Sequence, residues 1–365
     1  MKYEFYYESS KIYDFLNFPK LSLYTKKDFD DCNLELLEDA LESNLILNIQ
    51  NQLEKYKKDI EKFYMNDFPF SLCLIKTYDI LNYKNIDDYI KLLESLNDNQ
   101  IVTSLIYHIL ISENQSYYDE KLMASALDIS QDKNSVIEVI NSSSLNGETK
   151  WNLFCIVQEP IKKLKSYINL MRNIEPIFNE FYKQYEANVK TCGERLIEIL
   201  ETQGIDGLIS ITNGVLGKNL LDKNEINLVV SAFFKYQICL IGSSKIPYLA
   251  WGLNSEEICK KLKEEDENKL KQRIAIFKNL GDETRYKVLI HIINGTKSLK
   301  EISEKTNVSI NTVSYHVKNL LACDIIKLNK INNSLVYELN TELLQDSIDS
   351  LKLDLNFSTE NNTLK

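Results

Sequence analysis

The sequence predicts a mainly α protein with a small β-meander, in which a helical N-terminal domain is joined to a separate C-terminal module of helices and a hairpin. Three observations carry that prediction. Over most of positions 34–200, apolar residues recur at helical spacing with charged residues between them. Between Ile226 and Trp251 the pattern changes to short β-branched and aromatic runs bounded by glycine, serine and lysine. From Leu299 to Leu339 the order becomes helix, tight turn, helix, strand and strand. At 365 residues the chain has room for two or three domains.

Taken in order, Lys2 to Tyr7 is aromatic and β-prone, and Ser9 and Ser10 can start a helix that runs through Phe15 and ends at Pro19. A helical pattern then runs from Leu34 to about Tyr64, closed by Pro69. Further helices are expected at 71–81, 86–96, 100–111, 118–126, 136–140 and 148–157. Pro160 suits a helix start, where its missing N–H would have no partner anyway. Residues 161–200 form the longest periodic segment, and Pro176 and Gly193 are its expected kink or breaks. The runs 226–233, 237–241 and 246–251 predict the meander. Asn254 can cap a helix, with Glu257 three places on, that turns amphipathic at Leu270, Ile274 and Phe277. Without proline or a Gly/Ser stretch, this connection should be stiff.

The C-terminal module can be placed residue by residue. Leu299 and Ile302 give a short first helix its buried side, and Thr306, Asn307 and Ser309 interrupt it, with Ser309 suited to cap the next helix. That helix, 310–322, turns Val313, Val317, Leu320 and Leu321 inward. Its other face carries Asn311, Thr312, Ser314, Tyr315 and Lys318, which hydrogen-bond or stack and include no acid, as a helix in the major groove of a polyanion requires. Two β-rich runs, 325–328 and 335–339, flank a hairpin tip expected at Asn329 to Ser334. Lys327, Lys330 and Asn333 lie on or beside it, placed to touch the sugar-phosphate backbone. This order is a winged helix-turn-helix. The chain thus divides into a helical body with a β-rich end (1–253), a helical connector (254–272), the winged module (273–340), a C-terminal helix (341–356) and a polar, disordered tail (357–365).

Upstream, FKNLGDETRYKVLIHIING resembles the opening helices of the ArsR-type (arsenical-resistance repressor) family, in which an Asp-Pro-Thr-Arg element caps the second helix. Here Asp282 is the cap, Glu283 stands where proline is common, and Thr284 and Arg285 match. Ser309 to Val317 is similar to the family's recognition-helix pattern, and the resemblance extends over about 274–340. It implies a dimeric bacterial repressor or activator that reads double-stranded DNA. It does not imply metal sensing: where the family's sensors carry cysteines, this chain has Leu299, Lys300, Glu301 and Ile302, and no histidine follows Thr341. A helical body ending in a β-rich segment, with the Tyr-Leu-Ala-Trp-Gly run at 248–252, is similar in layout to longer regulators of the same type.

After the hairpin, Leu344, Ile348, Leu351 and Leu355 make a two-heptad seam. Two readings stay open: the helix docks on its own module, or it joins a second copy as in the resembled family.

The formal charge of −10 argues against nucleic acid only until its distribution is read. Lys271 to Phe357 carries twelve basic and ten acidic residues, so positions 1–270 hold about −12, an acidic body beside a near-neutral module. Seven scattered cysteines, never spaced C-x-x-C, suggest neither a disulfide framework nor a zinc module. His108, His291 and His316 are expected to be structural, His316 as a partly buried residue. No leader or bilayer-length apolar run is present, so a soluble, cytoplasmic protein without membrane contact is expected. No phosphate-loop, dinucleotide, H-E-x-x-H or nucleophile-elbow motif occurs; Gly214, Gly217 and Lys218 imitate only a fragment of a phosphate loop. The expectation is a homodimeric DNA-binding regulator that is not an enzyme and needs no cofactor or metal. A small-molecule effector could occupy the aromatic-rich body. The competing expectation is a winged helix used for protein assembly without DNA readout.

Overall fold

The structure is a computed structural model that describes residues 2–24, 43–65, 67–114, 118–216, 225–242, 246–296, 298–331 and 334–357. The helix expected from Leu34 is thus described only from Ser43, and Gly217, Lys218, Asn333 and positions 358–365 of the tail lie outside the described residues. The chain forms two compact units, Met1–Lys261 and Leu262–Lys365.

In the first unit β1 (Lys2–Phe5) leads to α1 (Tyr7–Asn17) and a 3₁₀ turn, Phe18–Leu23, that takes Pro19 into its first positions. Next come α2 (Ser43–Leu53), α3 (Lys57–Phe63), the paired dipeptides β2 (Tyr64–Met65) and β3 (Phe68–Pro69), α4 (Phe70–Thr77), α5 (Ile86–Glu94) and α6 (Asp98–Asn114). They are followed by α7 (Glu120–Ile129), α8 (Lys133–Ser142), α9 (Gly147–Gln158), α10 (Pro160–Tyr182), α11 (Glu186–Gln203) and α12 (Ile205–Ile211). Several of these helices begin where a short polar side chain can take an otherwise unpaired backbone N–H. Asn85, Asp119, Asp132 and Asn146 do so for α5, α7, α8 and α9.

The long periodic segment does break, but between Tyr182 and Glu186 rather than at its proline or glycine. Pro160 opens α10 as expected, and Pro176 stays inside it. The Pro176 ring removes one backbone hydrogen bond without ending the helix, whose residues on either side, Ile174 and Phe178, are buried. Gly193 stays helical for a different reason: a Cβ there would lie 2.3 Å from the Phe5 ring, so the bare backbone lets α11 lie close on β1.

The expected strands form as β4 (Glu225–Ser231), β5 (Ile238–Ile241) and β6 (Tyr248–Gly252), within a four-stranded sheet of order β1-β4-β6-β5. Their connectivity is not that of a meander, because β1, β4 and β6 run parallel and only β5 is antiparallel. The physical cause shows in burial: Ile226 to Ser231 and all of β6 are buried on both faces, as the inner strands of a covered parallel sheet are. Phe15, Phe18, Phe178, Tyr182 and Phe233 form the ring cluster beneath, with Phe18 and Phe233 centroids 5.0 Å apart. Much of the aromatic content is therefore core. Buried Asp14 ties α1 to the end of β4, accepting bonds from the Ser231 hydroxyl at 2.5 Å and the Ala232 amide at 2.7 Å, while burial pushes its carboxyl up to about 7. His108 is buried edge-on to Phe68 at 4.6 Å, and desolvation pushes its imidazole down to about 3.

The second unit contains most of α13 (Ser255–Leu280), then α14 (Glu283–Ile293), α15 (Leu299–Thr306), α16 (Ile310–Ala322), the hairpin β7 (Ile326–Ile331) and β8 (Ser334–Leu339), and α17 (Thr341–Asp354). At the start of α13 the Asn254 side chain donates to the Tyr236 hydroxyl at 3.3 Å, while its backbone carbonyl accepts from Glu257 at 3.1 Å. The unit has its own core, in which Ile276, Val288, Ile292 and Ile302 surround Val313, Val317 and Leu320.

Candidate nucleic-acid interface

The turn between α15 and α16 is built from local bonds. Asn307 ends α15 in the left-handed region (φ +56°), which asparagine accepts more readily than most residues. The Ser303 hydroxyl then donates to the Val308 carbonyl at 2.6 Å. Ser309 caps α16, its hydroxyl oxygen accepting from the Thr312 amide at 3.1 Å and lying 2.8 Å from the Thr312 hydroxyl. No acid stands in the first turn of α16, leaving its partial positive end unopposed.

One side of α16 is locked. Val313, Val317 and Leu320 are buried, as the spacing predicts, and His316 is buried with them. Arg285, three residues past the Asp282 cap, donates to the Asn279 side-chain oxygen and, at 3.5 Å, to His316 Nδ1. Asn279 in turn donates to Cys323 Sγ at 2.9 Å. One guanidinium thus links the end of α13, the start of α14 and the middle of α16. Burial, with Arg285 adding to it and Asp282 opposing, holds the His316 pKa below the usual range, which keeps Nδ1 an acceptor.

The opposite side of α16 is wet. Tyr315 is 58% exposed, Asn311 and Lys318 are exposed, and Thr312 and Ser314 are half-buried. Tyr315 also packs beside His316, with centroids 5.6 Å apart. Ile310, 47% exposed at the same end, is a residue that spacing arguments passed over. Spacing gives no signal for it, because Ile310 stands three and seven positions before Val313 and Val317, in line with the buried stripe, and its exposure belongs to the first turn of the helix. For Arg285 the match to the resembled family's capping element was the signal, while its partners, Asn279 and His316, come from other helices and were not legible.

The hairpin is longer than expected. Asn329 and Lys330 do not belong to the tip; they are strand residues opposite Val336 and Leu335, and the ladder continues to Ile331 and Ser334. Lys327 is exposed and directly opposite Glu338. Residues 281–327 match the winged helix-turn-helix DNA-binding family. A segment of 73 residues is also 34% identical to the transcriptional repressor SdpR of Bacillus subtilis (strain 168), covering 20% of this chain and 81% of that protein. The chain belongs to the winged helix-turn-helix DNA-binding family. The family match includes the Asp282 cap, Arg285, the Asn307 turn and all of α16, and it stops at Lys327 in β7. No solved structure matches the chain. Among the described residues, no helix is long and apolar enough to cross a membrane, and no group of three or more His, Cys, Asp and Glu side chains could hold a metal ion.

Proposed function

We propose that this winged helix-turn-helix protein is a sequence-specific transcriptional regulator of the ArsR type, which binds double-stranded DNA in the cytoplasm as a homodimer. The observation that carries the reading is the split of α16 into a locked apolar side and an exposed side that is polar and aromatic without an acid. Asn311, Ser314 and Tyr315 are assigned to base edges in the major groove, with Ile310 placed to meet a thymine methyl. Thr312, Lys318, Lys327, Lys330 and Asn333 are assigned to the backbone and wing contacts that set register. The similarity to a transcriptional repressor supports a regulatory role.

The dimer is supported by what the second unit leaves uncovered. On α17, Leu343 and Leu344 pack on the core, yet Ile348, Leu351 and Leu355 of the same seam stay exposed. Leu270 and Ile274 are exposed on α13, which Arg273 joins to α17 through Asp354 at 3.1 Å. A second copy burying this surface would place two recognition helices on half-sites about 34 Å apart, or a multiple of that. The first unit is the place for an effector.

A gel-shift titration of the full chain on the DNA upstream of its own gene, repeated across salt, tests the reading. Affinity should fall steeply with salt, at a logarithmic slope of about −0.9 per phosphate contact. No shift at low ionic strength would overturn it and favour use of the winged helix in protein assembly.

A further inference from the structure

The carboxyl ends of parallel strands β4 and β6 open onto a cleft of about 570 Å³. Loops that leave such strand ends diverge, which is why open parallel sheets place ligand sites there. Here the loop after β4 brings Lys235, the turn after β6 brings Asn254, and α11 brings Asn188, Thr191 and Arg195, with Tyr185 at its N-cap. None of the described residues lining the cleft is acidic, in a stretch of chain whose net charge is about −12 over positions 1–270. Two cations converge there with amide and hydroxyl donors.

The walls are held in place by the backbone. The Lys235 carbonyl accepts from the Asn254 amide at 2.7 Å, the Gln237 carbonyl from Gly252 at 2.8 Å and the Ser231 carbonyl from Leu253 at 3.1 Å. A Cβ on Gly252 would lie 2.3 Å from the carbonyl oxygens of Phe234 and Lys235, so glycine is what lets the two loops close on one another. Lys235 Nζ rests 4.3 Å from the Tyr185 ring centroid and donates to its hydroxyl at 3.3 Å. Arg195 grips the Glu256 carboxylate through both terminal nitrogens, in the first turn of α13. That pair is partly exposed, so an anion entering the cleft can reach the guanidinium and compete with Glu256 for it.

We propose that this cleft binds a small, multiply charged anion bearing phosphate or carboxylate groups, which takes Arg195 from Glu256 and is held with it by Lys235, Asn188 and Thr191. An effector role for that anion rests on the regulator reading above; the binding site does not. Release of Glu256 removes one tie on the first turn of α13, which Ser255 still fastens to Gln237.

The full-length protein is titrated with inorganic phosphate, pyrophosphate and citrate by calorimetry and thermal melting, against sodium chloride at matched ionic strength. At least one probe should bind saturably, with Lys235→Met and Arg195→Met weakening it tenfold or more. Glu256→Gln, which removes the internal competitor, should tighten binding at least threefold, a gain that a damaged fold cannot produce. Absence of saturable binding by all the probes, or Glu256→Gln leaving affinity unchanged or weaker, overturns the site. Saturable binding without a change in operator affinity removes the effector role and leaves the anion site standing. A chain that takes the anion but shifts no DNA counts against the regulator reading alone.

Discussion

The helices on either side of the hairpin, α16 and α17, carry apolar stripes of similar spacing and meet opposite fates. Val313, Val317 and Leu320 of α16 are buried within the unit. On α17 only Leu344 of the seam docks; Ile348 is 44% exposed, Leu351 36% and Leu355, at its C-cap, 59%. Periodicity therefore marks a face that must be covered without saying by what. In α16 the cover is α14, α15 and β7. In α17 the unit supplies no cover for the later turns, and a second copy of the chain is the proposed one.

The most severe way to break the contrast is in the buried face. Leu320→Ala should destabilise the second unit by about 2–5 kcal/mol, since removing a fully buried side chain leaves a cavity, and should lower its denaturant midpoint. The paired change Ile348→Glu and Leu351→Glu should leave that midpoint almost unmoved while converting dimers to monomers in sedimentation and weakening operator binding at least tenfold. A monomer found already in the unsubstituted protein would remove the contrast's proposed explanation. On the wet face of α16, Ser314→Ala and Tyr315→Ala should each relax sequence preference at a loss of about 1–3 kcal/mol per base contact, with folding unchanged. Operator affinity identical to that of the parent chain would withdraw these assignments. Lys327→Ala should weaken all DNA alike and reduce the salt slope by about one contact.

The smallest expected effect concerns His316, the titratable group on the buried face. Its folded pKa lies below the ordinary 6.5, so the unfolded chain binds its proton more readily. Its neutral form therefore contributes stability above about pH 6.5, and that contribution fades as pH falls below this value. The melting temperature should drop less between pH 7 and 5.5 in His316→Gln than in the parent.

Much of the candidate interface was legible in spacing. The Ser309 cap, the inward stripe of α16 and its acid-free outer face depend on residues within a turn or so of one another, which periodicity and capping chemistry describe directly, while the Asp282 cap was implied by the family resemblance. The hairpin was legible in place but not in length, because Asn329 suits a tip as well as a strand, and only its pairing with Val336 decides. Gly193 reads as a helix breaker until Phe5 is found against it.

By itself the amino-acid order determined the elements, their inner and outer faces and the character of the C-terminal reader, because those are consequences of contacts three and four residues apart. Only the tertiary structure decided that Lys2–Phe5 pairs in parallel with Glu225–Leu228, that Arg285 bridges to Asn279 and His316, and that Arg195, Lys235 and Asn254 share one cleft. Those meetings join segments from different elements, in most cases tens to hundreds of positions apart. Such contacts follow from which buried faces pack together, and no local pattern in the chain records that choice.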